Sequence, residues 1–109
     1  MATLATQTIA LSGLAPTYAA AAGGGDKCEV GDRQFLHVKN GSGAPITVTL
    51  TATAAVRGQA VGNVTVSVPA SGERMIGPLS ADLLQNASDG LCAIGYSSAT
   101  TVTVASLRI

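Results

Sequence analysis

Tryptophan is absent from this chain of 109 residues, phenylalanine occurs once and tyrosine twice. So few aromatics leave no platform on which nucleobases could stack. Tyr18, Phe35 and Tyr96 are also a thin supply for a sugar-binding face. Charge is equally scarce, six Lys and Arg against six Asp and Glu, or 11% of the residues. The basic side chains are scattered from Lys27 to Arg108, without the clustered excess that phosphate neutralisation requires, so nucleic acid is excluded as a partner. A charge density this low favours a chain that stays packed against something.

Metal and nucleophilic chemistry are short of parts. His37 is the one histidine, and Cys28 and Cys92 the two cysteines. No CxxC or HxxxH spacing supports a zinc site, and no third group is indicated to orient a Cys28–His37 pair as nucleophile and base. Asp26, Glu29 and Asp32 crowd together, but Lys27 and Arg33 stand among them and the spacing is wrong for a calcium loop, which leaves a solvated loop of mixed charge. Gly23-Gly24-Gly25 precedes neither a helix nor a Lys-Ser/Thr pair, so it reads as a hinge instead of a phosphate cradle. His37, mid-strand in FLHVKN, reads as a satisfied or half-exposed strand residue. No catalytic residue, cofactor or metal is expected. The cysteines read as small buried hydrophobes, with a disulfide closing a long loop as the alternative.

A long hydrophobic run is missing too. Residues 1–22 are apolar, but no Lys or Arg occurs before Lys27, and Gln7, Ser12, Gly13 and Pro16 interrupt the stretch. Neither a secretory leader nor a membrane span fits, and the segment reads as part of the mature protein. Residues 1–25 read as an extended N-terminal arm with a glycine hinge, in which Thr8 to Leu11 pair as a short strand. Residues 26–109 read as the domain.

What the chain does contain is alternation. In ITVTLTATA, Ile46, Val48, Leu50, Ala52 and Ala54 fall on one face and threonines on the other, the pattern of a half-buried antiparallel strand. Phe35, His37 and Lys39 oppose Leu36 and Val38 in the same way, and Val64, Val66 and Val68 oppose Thr65 and Ser67. Asn40-Gly41-Ser42-Gly43 supplies a turn, residues 57–63 a loop, and Pro69 a strand end. ERMI, residues 91–96 and residues 101–108 complete the strands. Ser80 is placed to cap a single helical turn that points Leu83 and Leu84 inward.

Six or seven short strands separated by Gly, Pro and Asn predict an all-β domain, a small β-sandwich or jelly roll with an extended arm. The predicted core is Leu36, Val38, Ile46, Val48, Leu50, Val66, Ile76, Val102 and Val104. The sheet is poor in the Lys, Glu and Pro that guard free edges, so self-association is expected.

The runs RQFLHVKNGSGAPITVTL and VSVPASGERMIGPLSADLL, the terminal TVTVASLRI and the upstream LAPTYAAAAGGGD together resemble small proteins encoded among the virion structural genes of tailed bacteriophages. That resemblance covers nearly the whole chain. It implies a non-enzymatic capsid decoration or minor capsid protein on the virion exterior, made in the bacterial cytoplasm, with the major capsid protein and further copies of itself as partners. A homotrimer suits local three-fold points of a shell. Pro16, Tyr18, Arg33, Arg57 and Arg74 are the candidate partner contacts, since arginine and tyrosine are enriched at interfaces. A tail or head–tail joining subunit and a β-sandwich module for glycans or host surfaces are the alternatives.

Overall fold

In the computed structural model, which describes residues 2–86 and 89–109, strands form where the alternation is strongest. They are β1 (Ala2–Thr3), β2 (Thr6–Thr8), β3 (Ala19–Ala20), β4 (Asp26–Cys28), β5 (Gln34–Asn40), β6 (Ile46–Leu50), β7 (Ala55–Val56), β8 (Gln59–Ala60), β9 (Val64–Val68), β10 (Glu73–Ile76), β11 (Cys92–Tyr96) and β12 (Val102–Arg108). One helical turn, α1 (Ala81–Leu84), precedes β11. The first sheet has the order β1-β4-β11-β6-β9, and the second the order β10-β5-β12-β2, with β3 also on β12. The two pack face to face as an all-β sandwich.

Register decides which side chains meet in the middle. Directly opposed residues share a face, and Ile94 lies opposite Leu50 while Tyr96 lies opposite Val48. The first sheet therefore sends Ile46, Val48, Leu50, Cys28, Cys92 and Ile94 inward, all of them buried. The second sheet answers with Leu36, Val38, Ile76, Val102 and Val104, and Leu4, Leu79 and Leu84 close the ends. Every residue of the predicted core is buried except Val66. It points inward but is half-buried, because β9 is the outermost strand of its sheet and has a neighbour on one side only.

Several local readings are corrected. Strand β6 stops at Leu50, not at Ala54, because the chain then leaves its neighbours: the Asn63 side chain accepts from the Ala52 N–H and the Leu83 carbonyl from the Thr53 N–H. Residues 57–63 are not all loop, since β7 and β8 form a hairpin around Arg57 and Gly58, at φ +52° and +80°. Positive φ at both central residues is what a two-residue type I′ turn needs. Ser80 sits at the start of α1 without a side-chain cap, its carbonyl accepting from Leu83 and Leu84 N–H instead. Leu84 is buried and Leu83 half-buried.

The N-terminal residues are extended but not separate from the domain. β1 runs parallel to β4, β2 parallel to the end of β12, and β3 antiparallel to its beginning. Strand pairing covers Thr6 to Thr8, where Thr8 to Leu11 was expected. The chain leaves β12 at Ile9 and returns at Ala19, and the side chain of Gln7 ties the excursion off. Its Nε2 donates to the Thr17 carbonyl at 2.7 Å, and its Oε1 accepts from the Thr17 N–H at 2.8 Å.

Candidate interaction surface

The two outer faces of the sandwich differ. On the first sheet Thr47, Thr49, Thr65, Ser67, Ala93 and Gly95 face outward, a small hydroxyl-bearing surface bordered by an ion pair between Lys27 and Asp89. That ammonium, with the Leu91 N–H, holds the Asp89 carboxyl below its ordinary value. On the second sheet Phe35, His37, Lys39, Glu73, Met75, Ala105 and Leu107 face outward, and the excursion between β2 and β3 covers part of them.

Tyr18 fastens that cover. It lies next to β3 on the outer side, where the small Ala105 lets its ring reach across β12 to His37 on β5. The Tyr18 hydroxyl is 2.6 Å from His37 Nδ1, and the rings meet edge to face with centroids 5.4 Å apart. Lys39 Nζ stands 4.1 Å above the Tyr18 ring, a cation–π contact. His37 Nε2 is 3.2 Å from Glu73 Oε1, but off the N–H axis, so this contact is electrostatic and not a hydrogen bond. The Tyr18 hydroxyl can donate to Nδ1 or accept from it, while Nε2 faces Glu73 without a hydrogen bond. The histidine is thus buried and partnered, holding the N-terminal excursion on the sheet.

Beside this latch the surface is apolar. One groove of about 390 Å³ is lined by the apolar Phe35, Met75, Pro78 and Ile109 and by Gly77, together with the polar Asp32, Arg33 and Gln34. A second, of about 270 Å³, shares Phe35 and Met75 with it and continues to Ile9, Leu14, Pro16 and Leu107. At Gly77 the backbones touch: a Cβ there would lie 2.6 Å from Phe35 Cβ, which fixes the floor of the first groove. Met75 is 66% exposed, Ile109 70% and Leu11 fully so. A strip of this kind, exposed and continuous over two grooves, is what monomers seldom leave uncovered.

Of the candidate contacts, Pro16, Tyr18 and Arg33 come together here. Arg74 lies on β10, the outer strand of the same sheet, exposed and donating to the Glu73 carbonyl. Arg57 is apart from them, at the tip of the β7–β8 hairpin. The sequence reading passed over Met75, Ile109 and Leu11. Alternation in ERMI was the available signal, because with Ile76 inward Met75 must face out.

Polar groups also meet inside the sandwich. Asp26 is 1% exposed, and its Oδ2 accepts from Tyr96 Oη at 2.8 Å and from the Ala22 N–H at 3.3 Å. Burial, and then the bond to Asp26, push the Tyr96 phenol above its ordinary range. On the same inner face Cys28 and Cys92 lie directly opposite each other, both as free thiols. The opposed Cys92 thiol, and then burial, raise Cys28 above its ordinary value.

Among the described residues no group of three or more His, Cys, Asp or Glu side chains is placed to hold a metal ion, and no helix is long and apolar enough to cross a membrane. Set against family models, curated proteins and solved structures, the chain finds no match.

Proposed function

We propose that this chain is a structural protein of a tailed-phage virion, a decoration protein that binds the major capsid protein on the outside of the head and stabilises the shell. The observation that carries this reading is the outer face of the second sheet, where the exposed Met75 and Ile109 and the half-buried Phe35 form one apolar strip rimmed by Pro16 and Arg33. A face of that kind gains by being covered. The sequence resemblance supplies the partner. Modest burial at each copy is enough for such a role, since a shell offers many equivalent sites and the copies reinforce one another. The free edge of β9, with no charged residue between Val64 and Val68, supports contact between copies, for which a trimer at local three-fold points is the arrangement proposed.

The test is cryo-electron microscopy of the intact particle, paired with shells lacking this protein. Density in symmetric clusters on the head exterior, and shells without it that break at lower temperature, are the expected results. Density confined to the tail axis, or bare shells as heat-resistant as complete ones, overturns the reading.

A further inference from the structure

Cys28 and Cys92 occupy one register position of β4 and β11, each with no exposed surface. Directly opposed residues of antiparallel strands have Cα atoms about 4.5–5.5 Å apart, inside the roughly 4.4–6.8 Å that a disulfide spans. Both side chains point into the space between the sheets. Strand β4 is three residues long and is flanked on its far side only by the two-residue β1, so β11 is its main attachment.

We infer that Cys28 and Cys92 are a latent cross-strand cross-link, closed to a single disulfide when the chain meets a low-molecular-weight disulfide as oxidant. The thiolate of one cysteine attacks a sulfur of the oxidant, forming a mixed disulfide and expelling one thiolate. The second cysteine then gives up its proton and attacks the protein-bound sulfur, expelling the other. Both cysteines are oxidised, one small disulfide is reduced to two thiols, and the two protons leave with those thiols. A reducing cytosol keeps the pair open, and an oxidising exterior closes it. The bond joins residue 28 to residue 92 across most of the domain, so it constrains the unfolded chain far more than the native one, whose strands are already in register. This holds whatever the protein binds.

The experiment refolds the reduced full-length chain in a buffer of oxidised and reduced glutathione, then denatures it with N-ethylmaleimide present and measures its mass. The expected product is a monomer lighter by two hydrogens, with neither maleimide nor glutathione attached. Its melting temperature should be higher by roughly 10 °C or more, and dithiothreitol should reverse the change. Two maleimides per chain, glutathione left on either cysteine, an intermolecular dimer, or a cross-linked chain that melts lower than the reduced one each overturn the inference. If refolding aggregates the chain, the same thiol count on native protein held in oxidised glutathione just below its melting temperature decides between these outcomes.

Discussion

Tyr96 Oη reaches Asp26 Oδ2 at 2.8 Å between the two sheets, on the same inner face as the cysteine pair. Replacing Tyr96 with Phe keeps the ring and removes the donor, leaving Asp26 with the longer bond from Ala22 alone. A loss of about 1–3 kcal/mol in unfolding free energy is expected from denaturant titration at neutral pH. A loss below about 0.5 kcal/mol would mean the bond contributes nothing net.

The same pair sets a pH dependence. The Tyr96 phenol ionises near 10 when unfolded and higher when folded. Its contribution is therefore complete below pH 10 and is lost as pH rises from there toward the folded value. Over that window wild type should lose stability faster than Tyr96→Phe, by up to about 1 kcal/mol per pH unit. That is less than a full proton's worth, because the ring is partly exposed. Parallel stability curves for the two proteins between about pH 10 and 12 would contradict the raised phenol.

Asn40 ties the turn that follows it to the end of β9. Its Nδ2 donates to the carbonyls of Ala44, Val68 and Pro69, and its Oδ1 accepts from the N–H and hydroxyl of Ser42. Asn40→Ala strands these groups at a buried position and should cost about 2–3 kcal/mol. Asn40→Asp should cost more, since it turns a carboxylate oxygen toward three carbonyls. Equal losses for the two variants in chemical denaturation would show that the donor side of the amide is unimportant.

How much of this was legible follows from where the information sits. Alternation placed β5, β6, β9, β10 and β12 because side chains two residues apart share a face, and burial then selects one face. The Asn40-Gly41-Ser42-Gly43 turn was likewise written locally. What the sequence could not express was pairing between distant segments: that Thr6 and Ala19 attach to the same strand, that Cys28 faces Cys92, or that Asn40 reaches Pro69. The β7–β8 hairpin was missed because arginine is an unusual occupant of a positive-φ turn position. His37 offered no more than a position in a strand. Its role depends on Tyr18, nineteen residues earlier, brought there by the excursion between β2 and β3.

That excursion gives a local prediction. Tyr18→Phe keeps the ring under Lys39 but leaves His37 Nδ1 buried without its partner. Residues 9–18 make few other hydrogen bonds, so the damage should be regional. Amide exchange at Thr17 and Ala21 should quicken about tenfold, a change of about 1.4 kcal/mol in local opening, while amides in β6 and β11 hold their rates. Uniform acceleration across both sheets would place Tyr18 in the global stability of the fold instead.

The two outer faces make opposite predictions about binding. Met75 and Ile109 are exposed and carry little of the fold, so Met75→Lys with Ile109→Lys should change unfolding free energy by no more than about 0.5 kcal/mol each. If the second sheet meets the capsid, two ammonium groups placed in a dry apolar contact should reduce occupancy on shells more than tenfold. Thr47→Lys with Thr65→Lys puts the same charges on the outer face of the first sheet, where both threonines are exposed. That pair should bind shells as wild type does. The comparison holds net charge constant, so a difference between the variants reports position alone. Loss of binding from the threonine face with none from Met75 and Ile109 would move the contact to the first sheet, and would leave the apolar strip to cover another copy of the chain.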